Sequence, residues 1–318
     1  MTRQSLLHDL ATHISRAVIT ISPLKNANLE LSEVSIVMKQ FAVIVFLLLA
    51  SSEVVFGQAA DAAKVELGSK TAKAGFQNED DIRDKFNNWK TDADARAWLE
   101  AMNHQLADII SVSASKPHGE KADVEVTVKT KSGERVERIS IKLVSSQNGF
   151  NQIDKRWLAT YAKMWKMPPN VADALKLFVG ETPPPGASRD KRRMYLNELD
   201  ETAQRAVVEF FTANKDEIIS DLLAGDGLHA ANWMMVIHRP KPLTRSVSEG
   251  EATDKPKWII RSSADAIKFY SDGPVELTKA GNLKIGRITL QRKGGDNGRE
   301  TAKMLQFKIN PVQLFDAK

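Results

Sequence analysis

Four polar residues, spaced in alternation along two strand-like segments, form the combination in this sequence with the most specific chemistry. They are Asp123, Glu125, Ser140 and Lys142. Carboxylate oxygens are the ligands that Mg²⁺ prefers, and a neighbouring ammonium group can orient an attacking water or stabilise charge on a phosphate. The alternative interpretation is a solvated strand face that carries cross-strand ion pairs.

A β-hairpin over residues 121–146 is the element that must bring these residues together. Two alternating runs, 122–130 and 136–144, flank a short polar stretch, as expected for paired strands. The Ser-Gly step at Ser132 and Gly133 predicts that these two residues form a tight turn.

This turn fixes which residues face each other. Asp123 is predicted to lie opposite Lys142, and Glu125 opposite Ser140, with Cβ atoms about 5 to 8 Å apart. Because side chains alternate between the two faces of a strand, the opposite face is apolar and is predicted to pack on a core. Its members are Val124, Val126, Val128, Ile139, Ile141 and Leu143.

Composition limits the classes of function. The 318 residues suffice for one or two domains, and the net charge of +5 weakly favours a polyanionic partner. The chain has no cysteine, which excludes disulfides, thiolate zinc sites and cysteine nucleophiles. No pair of histidines has helical metal-site spacing, so a histidine-based site is not expected.

The first 62 residues differ from the rest. Residues 38–60 contain a lysine, an apolar run and small residues, which are the parts of a secretory signal. Three interpretations remain: an export signal, a membrane-tethering extension, or a translated upstream stretch that precedes the true start. We favour the last, so that residues 63–318 form the functional domain.

Helical spacing is the main pattern on both sides of the hairpin. Helices are predicted from an N-cap at Asn78 and over 92–110, followed by a strand at 111–115. After the hairpin, apolar residues four apart from Ile153 to Trp165 predict a helix. The polar loop 148–152 would then lie at its N-terminus, where phosphate groups can bind.

Residues 168–260 are predicted to be a largely helical subdomain. Helices are expected at 170–179, 200–214 and 215–223. The basic run 188–193 is either a solvated surface or a phosphate contact, and 240–257 is expected to be a surface loop.

The C-terminal segment combines strand patterns with a polar loop. Strands are predicted over 283–290 and 304–309, and QRKGGDNGRET lies between them at 291–301. Its arginines and amides could read guanine and cytosine edges in a major groove. The alternative is a flexible hairpin loop.

Several motifs together resemble those of the HinP-one-I family of small type II restriction endonucleases, which cut within GCGC. The resemblance runs from about residue 65 to the C-terminus. It rests on VELGSKTAKAGFQNEDDI (65–82), GFNQIDKRWL (149–158), MWK (164–166), RDKRRM (189–194) and GRITLQRKGGDNGRETAKMLQFKINP (286–311).

The resemblance implies an α/β fold of the PD-(D/E)XK class, with a central mixed sheet flanked by helices, and Mg²⁺-dependent hydrolysis of double-stranded DNA. Asp123 would be the metal-ligating aspartate and Lys142 the motif lysine. The sequence departs from the pattern at Ser140, where the superfamily has a carboxylate and the HinP-one-I enzyme has glutamine. We expect Glu125, across the hairpin, to supply the missing carboxylate.

The resemblance also implies a set of DNA contacts. Phe150 would be wedged into the duplex, Gln152 and Lys155 would contact bases or phosphates, and the loop between the last two predicted strands would read bases. The predicted DNA-binding residues are Phe150, Asn151, Gln152, Lys155, Arg292, Lys293, Asp296, Asn297 and Arg299.

The function predicted from the sequence is therefore a cytoplasmic restriction endonuclease, active as a monomer or weak homodimer. Its genetic partner would be a cognate DNA methyltransferase that protects the host chromosome. Two alternatives remain: a DNA-binding relative with impaired catalysis, suggested by Ser140, and an exported non-specific nuclease, suggested by residues 38–60.

Overall fold

The computed structural model describes residues 73–118, 121–239, 256–293 and 300–317. The predicted N-terminal extension at 1–62 lies outside these ranges, and so does most of the predicted loop at 240–257. The same holds for three predicted DNA contacts, namely Asp296, Asn297 and Arg299.

Seven α-helices and ten β-strands make up the regular structure of the described residues. The helices are α1 (73–87), α2 (Ala93–Ala101), α3 (Leu158–Met164), α4 (Pro169–Val179), α5 (Glu201–Ala213), α6 (Lys215–Leu223) and α7 (Ser263–Ser271). The strands are β1 (Ile109–Ser115), β2 (Val124–Thr130), β3 (Gly133–Val144), β4 (Asn151–Arg156), β5 (Trp233–His238), β6 (Lys257–Ser262), β7 (Val275–Leu277), β8 (Leu283–Ile285), β9 (Ile288–Arg292) and β10 (Leu305–Ile309). Short 3₁₀ turns lie at Leu106–Asp108, Leu196–Glu198, Glu300–Lys303 and Pro311–Asp316.

The strands form two five-stranded sheets. The first, sheet A, has the order β1-β2-β3-β5-β6, in which β3 and β5 are parallel and the other neighbours are antiparallel. The second, sheet B, has the order β4-β10-β9-β8-β7 and is antiparallel throughout. Sheet A with its flanking helices is the central mixed sheet expected for this α/β chain.

Helices α1 and α2 cover one face of sheet A. Phe86 and Trp98 from these helices lie in one cluster of buried residues with the apolar side chains of β2 and β3. The predicted apolar face of the hairpin is thus confirmed as a core face, and burial of one such side chain stabilises the fold by about 1.5 to 3 kcal/mol. The second cluster lies on the other side of sheet A. It joins Met234 and Val236 of β5 to helices α3 to α7 and to one face of sheet B.

The first two helices depart from their predictions. The helix predicted over 92–110 ends at Ala101, because residues 106–108 form a 3₁₀ turn and Ile109–Ser115 form strand β1. Asp92 caps α2, since its side chain accepts a hydrogen bond from the backbone N–H of Ala95 over 2.9 Å. Asn78, predicted as an N-cap, instead lies inside α1 and is buried. The helix is already formed at residue 73, so Asn78 has helical neighbours on both sides.

The prediction of a helix that starts near Ile153 is wrong for residues 151–156. They form strand β4, which pairs with β10, and α3 begins only at Leu158. The four-residue spacing of apolar side chains therefore crosses a strand and a helix, and the loop 148–152 does not precede a helix N-terminus. Pairing with a strand near the C-terminus outweighs the local helical pattern here.

The predicted helical subdomain at 168–260 is also only partly correct. Helices α4, α5 and α6 match the prediction, and α4 ends at Gly180 with φ +83°, as favoured for a C-terminal glycine. However, β5 and β6 belong to the same segment and pair within sheet A. The segment is therefore built into the central sheet.

None of the helices in the described ranges combines the length and the apolar character that a membrane crossing requires.

Candidate active site

The hairpin of β2 and β3 has a register two residues away from the predicted one. Thr130 pairs with Gly133, so the loop residues are Lys131 and Ser132 instead of Ser132 and Gly133. The hydroxyl of Thr130 accepts a hydrogen bond from the backbone N–H of Ser132 and donates one to the carbonyl of Gly133. Gly133 has φ +147°, which glycine adopts with little cost. The side chain of Thr130 thus closes the turn one residue earlier than the Ser-Gly signal suggested.

This register still brings Asp123, Ser140 and Lys142 together. The hydroxyl of Ser140 donates to Asp123 Oδ2 over 3.4 Å and accepts from Lys142 Nζ over 3.1 Å. Lys142 Nζ lies 3.6 Å from Asp123 Oδ2 and also donates to the carbonyl of Ile141 over 2.9 Å. The backbone N–H of Ile141 donates to Asp123 Oδ2 over 2.6 Å. Asp123 is therefore held through one carboxylate oxygen by the strand that carries Lys142.

Glu125 is not brought to Ser140, which corrects the predicted pairing. It lies opposite Arg138 and accepts a hydrogen bond from Arg138 Nε over 3.0 Å. His229 Nδ1 lies 2.7 Å from the same oxygen of Glu125. The register error moved the expected partner of Glu125 by two residues, so the argument for Glu125 as the substitute carboxylate no longer holds.

Glu79 on α1 is a carboxylate near this site that the sequence reasoning missed. Burial raises its pKa, and the charge of Asp123 raises it further, whereas Lys116 and Lys142 oppose the rise. Lys116 Nζ pairs with Glu79 at 3.1 Å. A carboxylate close enough to raise the pKa of Glu79 is also close enough to share a cation with it. In the sequence, Glu79 carried only the signal of a residue in the first turn of a helix.

A cavity of about 500 Å³ opens beside Asp123, Ser140 and Lys142. Lys121, Asp123, Ser140 and Lys142 line one side, and Gln152 and Lys155 line another. The structure therefore brings two of the predicted DNA-binding residues to the predicted catalytic residues. Both sit on strand β4 instead of on the predicted loop and helix.

Lys121 is a second cation in this cavity. Its Nζ donates to the carbonyl of Ile153 over 2.9 Å and lies 3.4 Å from Asp154 Oδ2. Burial lowers its pKa to about 8, although the charge of Asp154 acts in the opposite direction. Gly225, at φ +71°, packs on the lysine stem so closely that an added Cβ would lie 2.9 Å from Lys121 Cβ. Lys121 thus connects the start of the catalytic hairpin to strand β4.

One face of sheet B continues from the cavity as a polar surface. Lys308 of β10 pairs with Gln152, and Gln306 pairs with Lys155. Paired residues point to the same face of a sheet, so these four side chains share one face. Lys308 is half-buried, and burial lowers its pKa. In the described part of the chain no carboxylate offsets the burial of Lys308.

The remaining predicted DNA contacts fall in different surroundings. Phe150 is 57% exposed just before β4, which suits a side chain available for contact. Asn151 instead donates its amide to the carbonyl of Leu143 over 3.0 Å, tying β4 to the end of β3. Lys293 follows β9, and its backbone N–H donates to Met304.

Arg292 does not join Gln152. It pairs with Leu305, whose side chain is in the core, so Arg292 points to the opposite face of sheet B from Gln152 and Lys308. Its Nη2 lies 3.5 Å from Asp190 Oδ2. The structure therefore does not support a single base-reading set that contains both Gln152 and Arg292.

The donor set suits a magnesium ion only in part. Within the described ranges, no group of three or more acidic or histidine side chains is arranged to hold a metal. Mg²⁺ is commonly bound by one or two carboxylates together with waters and substrate phosphates, and the pair of Asp123 and Glu79 fits that pattern.

Comparison with known proteins gave three results. Residues 102–315 match the model of the family described as R.HinP1I restriction endonuclease. No curated protein matches the chain in sequence. Among solved structures, a crystal structure of restriction endonuclease MspI in complex with its cognate DNA is similar, with a TM-score of 0.47 and 14% identity over 70% of this chain and 80% of that one.

Proposed function

The chain belongs to the R.HinP1I restriction endonuclease family, and on this premise we propose that it is a Mg²⁺-dependent enzyme that hydrolyses double-stranded DNA at a short G/C palindrome, GCGC. Membership of the family makes it a type II restriction endonuclease. The observation that carries the proposal is the cavity in which Asp123 and Lys142 lie together with Gln152 and Lys155.

The reaction is an in-line displacement at phosphorus. A water oxygen forms a bond to the scissile phosphate, the bond to the 3′ oxygen breaks, and a 5′ phosphate and a 3′ hydroxyl are left. Mg²⁺, when bound, would lower the pKa of its water and stabilise charge on the phosphate and the leaving oxygen. Asp123 and Glu79 are the residues that would hold it.

Lys142 is the residue that orients the nucleophile. Its Nζ donates hydrogen bonds to the hydroxyl of Ser140 and the carbonyl of Ile141 and lies 3.6 Å from the carboxylate of Asp123, which leaves one N–H for a water. A fixed ammonium group next to the cavity can direct a water toward phosphorus and stabilise the charge that develops on the non-bridging oxygens. Ser140 positions Lys142 against Asp123 and needs no metal-binding role of its own.

The polar face of sheet B is proposed to lie against the DNA. Gln152 carries an amide that can pair with base edges, and Lys155 and Lys308 carry charges suited to phosphates. Phe150 is proposed to wedge into the duplex beside them. A cognate methyltransferase, encoded near this protein, would protect the host's own sites.

A second candidate function is a DNA-binding protein without catalysis, which Ser140 in the metal-binding position favours. Digestion of a sequenced plasmid by the full chain with Mg²⁺ separates the two, with Lys142→Ala and a plasmid premethylated at GCGC as controls. We expect discrete fragments that end at GCGC and that are absent in both controls. An intact plasmid that is nevertheless retarded in a gel would support the non-catalytic function, and a smear would contradict site specificity.

A further inference from the structure

A second cavity, of about 480 Å³, lies at the end of sheet B and is lined by arginines. We call it the arginine pocket. Its lining residues are Arg189, Arg193, Tyr195, Asn282, Gln291 and Arg292. The guanidinium groups of Arg189 and Arg193 lie over the Tyr195 ring, 4.2 and 4.8 Å from its centroid. The pocket is therefore rigid and rich in hydrogen-bond donors.

Positive charge exceeds negative charge around this pocket. Asp190 forms ion pairs with three arginines. The distances from its carboxylate oxygens to guanidinium nitrogens of Arg192, Arg193 and Arg292 are 3.1, 3.2 and 3.5 Å. Glu198 pairs with Arg189 at 2.9 Å. Among the residues that the structure describes, three arginines line the pocket and share these two carboxylates, and the exposed Arg192 also pairs with Asp190.

The shortage of negative charge is most destabilising at Arg292. Only 11% of its side chain is exposed. Its Nε is buried and has no hydrogen-bond partner among the residues that the structure describes. Burial and the neighbouring charge of Arg193 lower the pKa of Arg292 to about 10. A buried cation that shares its carboxylate with other arginines is destabilising unless a further anion is present.

We propose that the arginine pocket binds a phosphate group. The planar fork of an arginine matches the oxygens of phosphate, and the amide of Asn282 can add a donor. A nucleobase is a poorer fit, because guanidinium groups already cover the aromatic ring of Tyr195. Arg292 is thereby assigned to phosphate instead of to a base edge, in agreement with its position on the face of sheet B opposite Gln152.

The phosphate can come from two sources, a DNA backbone or free phosphate. Only the DNA source rests on the proposed function. If the phosphate belongs to a DNA backbone, the phosphodiester bound at the end of sheet B would lie outside the recognition sequence.

The test begins with inorganic phosphate as the probe. Its binding to the full chain is measured by calorimetry and by the shift in Tm at constant ionic strength, with chloride as the reference salt. We expect saturable binding that is weakened about tenfold or more in Arg292→Gln and in Arg193→Gln, since each removes a charge-assisted hydrogen bond.

Arg287→Gln is the matched control. Arg287 also pairs with an acid, Asp272, at 2.7 Å, and lies over Phe269 at 4.3 Å, but it does not line the pocket. This variant should bind phosphate like the parent. If phosphate acts no differently from chloride on the parent, or if Arg193→Gln and a folded Arg292→Gln keep the parent's affinity, the proposal is wrong.

Competition identifies the source. In the presence of Ca²⁺ instead of Mg²⁺, a saturating GCGC duplex should displace phosphate if the pocket holds the DNA backbone, whereas undisturbed phosphate binding assigns the pocket to free phosphate. The phosphate-binding measurement needs neither DNA nor cleavage. Its result can therefore be interpreted even if the protein proves to have no nuclease activity.

Discussion

The ammonium group of Lys142 donates a hydrogen bond to the hydroxyl of Ser140 over 3.1 Å. The same hydroxyl donates to Asp123, so Ser140 connects the two residues that the proposed chemistry depends on most. A carboxylate at this position would bind metal directly. The serine instead keeps the lysine and the aspartate at a fixed separation.

The first prediction concerns this connection. Ser140→Ala should lower the rate of DNA cleavage about tenfold, because one hydrogen bond that orients Lys142 is lost. Binding of the cognate duplex should not change, since Ser140 is buried and its hydroxyl is bonded to Asp123 and Lys142. Single-turnover kinetics and gel retardation measure the two quantities. Cleavage at the parent rate would show that Ser140 does not position Lys142.

The second prediction distinguishes two carboxylates. Glu79→Gln should raise the Mg²⁺ concentration needed for half-maximal cleavage by about tenfold or more, as for other residues around a metal site. Glu125→Gln should leave that concentration unchanged, because Glu125 is bound to Arg138 and His229. Metal titrations of both variants measure this. A shift with Glu125→Gln alone would restore Glu125 as the metal ligand.

The third prediction concerns the polar face of sheet B. Lys308→Met should weaken binding to cognate and non-cognate duplexes alike and should reduce the slope of log K against log salt by about one, as expected for a lost phosphate contact.

Lys176→Met is its control. Lys176 lies on α4, a helix that belongs to the core cluster on the apolar face of sheet B, and pairs with Asp173 at 2.8 Å. Its removal should leave the salt dependence as it is. A loss of cognate binding alone in Lys308→Met would instead mean that Lys308 reads a base.

The fourth prediction is a pH dependence of stability. Glu137 is 1% exposed and bonds to His104 Nε2 at 2.8 Å and Trp233 Nε1 at 2.6 Å. Burial alone would raise its pKa, but the hydrogen bonds from His104 and Trp233 outweigh burial and lower it below the ordinary value of 4.5. A lowered carboxyl pKa stabilises the fold above the unfolded-state pKa, and this contribution is lost as the pH falls through the folded-state pKa.

Glu137→Gln should therefore reduce the free energy of unfolding by about 1 to 3 kcal/mol at pH 7. The difference from the parent should shrink below pH 4.5. Urea unfolding at several pH values measures both effects, and Glu134→Gln, an exposed change on the same strand, is the control. An equal difference at pH 7 and at pH 3.5 would disprove the assignment.

The hairpin shows what could be predicted from sequence. Alternation alone put Asp123, Ser140 and Lys142 on one face and the valines on the other, because the period of a strand is fixed. The register was missed because it depends on the Thr130 hydroxyl, a local hydrogen bond that no alternation pattern reports. A shift of two residues preserves the faces but changes the partner of Glu125.

Non-local pairing explains the other errors. Strand β5 is buried at every position, so it lacks the alternation that marks a half-exposed strand, and it was included in a helical segment. Strand β4 was read as helical because its partner β10 lies far along the chain. Glu79 comes near Asp123 from α1, and Lys308 comes next to Gln152 from β10, and only the fold brings these residues there.

The pairings of β3 with β5 and of β4 with β10 also set the order in which the site can be completed during synthesis. Strand β3, which carries Lys142, cannot pair with β5 until residues 233–238 have been made. Strand β4, which carries Gln152, cannot pair with β10 until residues 305–309 have been made. The cleft of a nascent chain is therefore incomplete until residues 305–309 have left the ribosome. A chain ended at residue 303 should accordingly neither bind nor cut DNA, and measurable cleavage by it would contradict this order of assembly.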